Sequence, residues 1–344
     1  MRNRVRRLLL SAGAILVSAA PAVSQVVGGG IPVDTTFTIS SAWEAVHKEH
    51  SEARIVAPEP DSTIQISRSI VYASLAGRDL HIDVYRPRRL GTFPAVLIIH
   101  GGGWRSGNRH MEEPMAVALA ENGYVAATIE YRLSGEAKFP AALEDLKAGV
   151  RWLRKESQKL GVDTGRIAAL GPSAGGTLAL LLGTTGGDSR FDGDEGVAGC
   201  SSRVQAMVSI DGVPDLTDPA ESGKDMNGVP SSAGARWIGA TFKENPDAWL
   251  DASPLHHTGN DSPPVLFVNS SIARFHAGRD SMLAILAKGG IATSVYSIPN
   301  TPHTFWLFHP WFEPVVRRVL QFLDKTFGRK IDDERPTKSS PQRQ

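Results

Sequence analysis

The stretch Ile167-Ala168-Ala169-Leu170-Gly171-Pro172-Ser173-Ala174-Gly175-Gly176-Thr177-Leu178-Ala179-Leu180-Leu181-Leu182 decides how this chain folds. A short apolar run of β character enters a Gly-x-Ser-x-Gly turn, and an apolar helix former follows at once. A chain that reverses so sharply needs glycine where side chains would collide. Gly171 and Gly175 flank Ser173, and Gly176 lets the following helix pack closely on the sheet. A serine hydroxyl becomes a useful nucleophile when it is held clear of other partners and beside a base, and a strand-to-helix elbow meets the first condition. The pentapeptide alone is weak evidence, since a Gly-rich turn with an incidental serine would look the same. The strand before it and the helix after it make Ser173 the candidate nucleophile.

A second motif, His100-Gly101-Gly102-Gly103-Trp104, follows the strand-like run Ala95-Val96-Leu97-Ile98-Ile99. Backbone N–H groups free of side-chain crowding are the usual donors to the oxyanion of a tetrahedral intermediate, each worth roughly 3–4 kcal/mol in the transition state. Gly102 and Gly103 supply such groups, and Ala174, the residue after the nucleophile, supplies a third. A phosphate-binding loop would need a following Lys-Ser/Thr or an acidic residue placed for a ribose, and the chain has neither.

These two motifs, with Glu130-Tyr131-Arg132-Leu133-Ser134, Phe139-Pro140-Ala141-Ala142-Leu143-Glu144-Asp145 and Trp152-Leu153, resemble the α/β-hydrolase superfamily, in particular its esterases with a His-Gly-Gly-Gly oxyanion loop. The resemblance runs from about Ile64 to Phe327. More narrowly, the chain is similar to secreted bacterial esterases that remove acyl groups from plant cell-wall polysaccharides. The fold expected is α/β, a mostly parallel central sheet with helices on both faces. The hydrophobic pattern agrees: strands near 64–72, 79–86, 94–100, 124–131, 166–171, 204–210, 264–269 and 293–298 alternate with helices near 110–122, 141–160, 174–184, 280–289 and 312–327. The catalytic domain is assigned to 61–327. Its irregular stretch 212–262, with one amphipathic segment near 233–241, is expected as an insertion near the active site, the alternative being a solvated excursion.

In this fold the order along the chain is nucleophile, acid, histidine. His303, in Pro299-Asn300-Thr301-Pro302-His303 after the last strand, fits as the base. His309 lies beyond it, His256 and His257 fall in the insertion, and His100 shapes the oxyanion loop. The acid is irregular. The superfamily's usual position after Val265-Leu266-Phe267-Val268 holds Asn269-Ser270-Ser271 and no carboxylate. Asp211, at the end of the neighbouring strand 204–210, is favoured. Asp280 is the alternative, although an Asp opening a helix is also a natural N-cap, and Asp215 ranks third. Asn269 or a carbonyl would orient the histidine if none were in reach.

The 344 residues, 41% of them hydrophobic, suit one large core, and Lys+Arg 37 against Asp+Glu 36 gives no basic surface for nucleic acid. Residues 1–24 read as a signal peptide: arginines at 2, 4, 6 and 7, an apolar stretch shorter than the ~20 residues of a membrane span, then small residues. A secreted or periplasmic location follows, with no membrane contact after cleavage. Residues 25–60, with an amphipathic stretch at 43–50, read as an N-terminal arm or linker, and 328–344 as a disordered tail. Cys200 is the single cysteine, so neither an intrachain disulfide nor a thiolate metal cluster is expected, and no cofactor or metal is implied. Trp104 and Trp306 adjoin catalytic candidates and are assigned to the substrate pocket, while a packing role is the plainer alternative. Arg274, His276 and Arg279 suit either a uronic acid or loop-holding salt bridges. The reading is a serine esterase acting on a small-molecule or polysaccharide ester, by deacetylation of pectin or xylan in the plant cell wall. An exopeptidase of the same fold and a non-catalytic binding protein are the alternatives.

Overall fold

The computed structural model describes residues 26–27, 31–32, 34–222 and 232–330. Every residue from Phe93 to Ile99 is buried, as a strand covered on both faces requires. Ala95, Leu97 and Ile99 enter one apolar core and Val96 and Ile98 the other, so the period-2 alternation of a strand persists within a run that is apolar throughout. Eight strands form this sheet: β1 Ile64–Leu75, β2 Arg78–Pro87, β3 Phe93–Ile99, β4 Val125–Ile129, β5 Val162–Pro172, β6 Ala206–Ile210, β7 Val265–Asn269 and β8 Thr293–Ser297. Their spatial order is β8-β7-β6-β5-β3-β4-β2-β1. Only β2 is reversed against its neighbours; the remaining pairs are parallel.

Helices cover both faces. Following α1 at Ile39–Val46, the chain forms α2 (Glu113–Glu121), α3 (Ala141–Lys155), α4 (Ser157–Leu160) and α5 (Ala174–Thr184). α3 and α5 bury Leu143, Leu146, Val150, Leu178 and Leu181 on one face. On the other, α2 contributes Met115 and Leu119. Each such side chain, fully buried, contributes roughly 1.5–3 kcal/mol. The insertion is more structured than its sequence suggests, holding α6 (Pro219–Ser222), α7 (Ala233–Ile238) and α8 (Pro246–Asp251). Then come α9 (Arg279–Lys288) and α10 (Phe312–Thr326), the latter adding Val316, Val319 and Leu323 to the second face.

Of the two readings of residues 25–60, an arm fits the packing of this segment better than a linker. A capping box between Thr38 and Ser41 starts α1 four residues before the expected stretch. Ala42, Val46, Ala53 and Val56 are buried in the second core, and Arg54–Ile55 pairs antiparallel with Phe308–His309. At least residues 39–56 are therefore part of the packed body. The expected signal segment 1–24 lies outside the described residues, as does most of the expected tail, from 331 to 344.

The parallel ladder sets up the site. Pro172 is paired with Ile210, and Ile210 with Val268. The next rungs run into the loops: Ser173 N–H donates to Ile210 O at 2.7 Å and Asp211 N–H to Val268 O at 2.9 Å. Ser173 and Asp211 thus emerge side by side at the carboxyl ends of their strands.

Candidate active site

Ser173 occupies the turn between β5 and α5 at φ 52°, ψ −123°, a backbone conformation rare for a residue with a side chain. The neighbouring glycines show why it is held there. A Cβ on Gly175 would lie 2.0 Å from Ile99 O, and one on Gly171 would lie 2.3 Å from the backbone of Gly175. Helix, elbow and β3 are in contact through backbone alone, leaving the Ser173 side chain as the group that projects.

His303 Nε2 lies 2.9 Å from Ser173 Oγ, and His303 Nδ1 lies 3.1 Å from Asp211 Oδ2. In the tautomer this geometry requires, Nδ1–H donates to the carboxylate and Nε2 accepts from the serine hydroxyl. Asp211 is fully buried. Its other oxygen, Oδ1, accepts from Ser270 N–H at 2.8 Å and from Asn269 Nδ2 at 3.3 Å. The residue occupying the superfamily's usual acid position therefore donates to an acid one strand away.

The oxyanion loop abuts the elbow, since a Cβ on Gly101 would come within 3.3 Å of Ser173 Cβ. Gly102 has φ +119°, and a Cβ there would strike Ser106 O at 2.2 Å, so only glycine fits. Its carbonyl accepts from the N–H groups of Arg105 and Ser106 and from Ser106 Oγ. No carbonyl among the described residues takes the N–H of Gly102 or Gly103. Ala174 begins α5, where an N–H has no partner within the helix. His100 holds the loop from behind: Nδ1 is 2.8 Å from Gly101 O and the ring stacks on Tyr131 at 4.4 Å. Burial pushes its imidazole down to about 4, which keeps it neutral at pH 7.

Other expectations change. Asp280 lies in the first turn of α9, two residues inside the Gly278 N-cap, with its side chain 81% exposed and paired to Arg279. It is neither the cap nor part of the triad geometry. Asp215 closes a local turn through the N–H and hydroxyl of Thr217. Trp104 and Trp306 do not offer open faces to a substrate, being only 6% and 3% exposed. Trp104 stacks on Trp237 of α7 at 4.6 Å, tying the insertion to the oxyanion loop, while Trp306 meets the His303 ring edge-on at 5.3 Å. Arg274 pairs with Glu221, His276 Nε2 lies 2.8 Å from Ser270 O, and Arg279 donates to Asn269 Oδ1 at 3.1 Å, so all three serve the loop. Two contributors have no signature in the sequence: Ser270, whose N–H binds the acid, and Phe275, whose ring lies 3.7 Å from that of His303 and within 6° of parallel. Glu112 is also buried nearby. Its burial pushes the carboxyl up to about 8. Among the described residues, no three His, Cys, Asp or Glu side chains are grouped to hold a metal ion.

The model of the BD-FAE family matches residues 82–275, more than half of the chain. The chain belongs to the BD-FAE family. It is 30% identical over 230 residues to a protein named probable carboxylic ester hydrolase LipM of Mycobacterium tuberculosis, a match that covers 66% of this chain and 51% of LipM. The chain thus spans about half the length of that relative. Among solved structures, a truncated carbohydrate esterase from gut microbiota superposes with a TM-score of 0.66 at 23% identity, covering 80% of this chain and all of that one. A bifunctional GH43-CE of Bacteroides eggerthii gives 0.65 at 25% identity over 76% of this chain and 38% of its own. The sheet order and these superpositions make this BD-FAE member an α/β-hydrolase fold.

Proposed function

We propose that this chain is an exported serine carboxylic-ester hydrolase that deacetylates plant cell-wall polysaccharide, pectin or xylan, through an acyl-enzyme. The observation that carries the chemistry is His303 bridging Ser173 Oγ and Asp211 Oδ2. Ser173 attacks the ester carbonyl while His303 takes its proton. The N–H groups of Gly102, Gly103 and Ala174 receive the oxyanion, and His303 returns the proton to the leaving alcohol. Water, activated by the same histidine, then releases the acid. Asp211 holds the imidazole in the required tautomer and stabilises its charged form.

The ester-hydrolase class is supported by the family and by the name of LipM. The polysaccharide substrate is supported by the carbohydrate-esterase component that the name of the GH43-CE neighbour carries. Export rests on the sequence of residues 1–24. Among the described residues no helix is long and apolar enough to cross a membrane. The test is acetate release from acetylated pectin and acetylated xylan. Release by the wild-type chain and at least a 10³-fold loss in Ser173→Ala are expected. Undiminished release by Ser173→Ala rules out the nucleophile. Hydrolysis of simple acetate esters without release from either polymer removes the polysaccharide claim alone.

A further inference from the structure

The surroundings of His303 hold more than a triad needs. Its two nitrogens are committed to Ser173 and Asp211, the face of its ring lies on Phe275, and Trp306 stands against it nearly at right angles. Phe275 belongs to the short 3-10 turn Ala273–His276 that follows β7 and is only 8% exposed. We propose that Phe275 is a positioning residue that fixes the plane of the His303 imidazole and stabilises the positive charge it acquires when Ser173 gives up its proton. This role rests on the esterase reading above.

The argument is one of difference between states. Before reaction the imidazole is neutral and gains only stacking from Phe275. In the tetrahedral transition state it carries a proton from Ser173, and the electron-rich face of an aromatic ring attracts a cation placed over it. An interaction stronger in the transition state than in the ground state raises kcat and leaves KM alone. The charges around the pair fit this role. Asp211 is the anion facing the imidazole directly. The guanidinium of Arg274 lies 5.2 Å from the centroid of the Phe275 ring and would oppose a second cation there. Buried Glu221 neutralises it, taking Nε and, at 2.9 Å, Nη2. Arg279 is turned to Asn269 and Asp280, His276 to Ser270 O, and Glu112 lies by Trp306. The ion pair thus anchors the turn that presents Phe275 without adding net charge to it.

The experiment compares the wild type with Phe275→Leu, which keeps an apolar side chain of similar reach, and Phe275→Tyr, which keeps the aromatic face. Competent sites are counted by fluorophosphonate labelling of Ser173, and kcat and KM are measured on p-nitrophenyl acetate per labelled site. Phe275→Leu is expected to lower kcat about 3- to 30-fold with KM within twofold, and Phe275→Tyr to recover kcat to within about threefold of wild type. Wild-type kcat in the leucine variant, a loss carried by KM, or an equal loss in the tyrosine variant overturns the role while leaving the esterase reading intact. Absence of labelling and turnover in the wild type overturns both.

Discussion

The position of Asp211 is the residue-scale feature that separates this site from the superfamily pattern its motifs resemble. The carboxylate has one oxygen on His303 and the other held by Ser270 N–H and Asn269, so it is fixed on both sides while wholly buried. Asp211→Asn removes the charge and presents an amide that favours the wrong tautomer. A fall in kcat/KM of about 10³- to 10⁴-fold is expected, with Asp280→Asn within twofold of wild type. Steady-state kinetics on a simple acetate ester decides between them, and comparable losses in the two variants would contradict the assignment. Asn269→Asp tests the partner. It replaces a donor with a carboxylate about 3.3 Å from Asp211 Oδ1, and two anions at that spacing repel, a cost that Arg279, which already donates to Asn269 Oδ1 at 3.1 Å, offsets in part. The variant is expected to lose roughly 1–2 kcal/mol of stability at pH 8 and less at pH 5, where a shared proton relieves the repulsion, as read by urea unfolding at both values. Ser173, His303 and Asp211 are legible in the sequence as candidates because Ser173 and Asp211 directly follow recognisable strands and His303 lies in the loop after the last one. Phe275 is not, because a stacking partner leaves no spacing rule. The burial of Trp104 and Trp306 is not legible there either, because adjacency in sequence says nothing about whether a ring turns toward substrate or core.

At the scale of elements, the elbow works because β3, β5 and α5 meet through backbone. The glycines of α5 are not equivalent. A methyl at Gly175 would meet the Ile99 carbonyl at 2.0 Å, and neither partner can move without breaking the sheet. A methyl at Gly183 would meet Met207 Sδ at 2.2 Å, and a thioether has rotamers to spare. Gly175→Ala is therefore expected to abolish soluble expression or to cost more than about 4 kcal/mol, whereas Gly183→Ala costs about 1–2 kcal/mol, partly offset by the higher helix propensity of alanine. Thermal unfolding of the two variants checks this, and similar melting temperatures would show that β3 does not constrain the elbow. The same close contact explains why this part of the fold was readable: a Gly-x-Ser-x-Gly turn between apolar segments admits few geometries. The arm was harder. α1 buries only Ala42 and Val46, too few apolar positions to separate a docked helix from a solvated one, and the partner of Arg54–Ile55 lies about 250 residues away, where no local pattern reports it.

For the molecule as a whole, two buried ionisable groups near the oxyanion loop give folding a pH dependence that the near-neutral net charge does not. His100 is held at about 4 against an ordinary 6.5, and Glu112 at about 8 against an ordinary 4.5, burial being the main cause in both. The signs are opposite. A histidine with a depressed value in the folded state contributes stability that is present above 6.5 and lost as pH falls toward 4. A carboxyl with a raised value contributes stability that is present below 4.5 and lost as pH rises toward 8. Between about 4.5 and 6.5 the two slopes oppose each other, and above 6.5 the Glu112 term acts alone until the group ionises near 8. Integrated over its window, that term is on the order of 4 kcal/mol. Glu112→Gln keeps the shape and removes the ionisation. Its unfolding free energy relative to wild type, measured by urea titration, is expected to rise between pH 5 and pH 8 by roughly that amount. Parallel pH profiles for the two proteins would mean that Glu112 ionises in the folded state as readily as in the unfolded one. Esterase activity at pH 8 gives an independent readout, because ionising Glu112 places an uncompensated charge beside Trp306, which braces His303. An activity loss above pH 8 that the glutamine variant lacks would connect the stability of the fold to the support of its base.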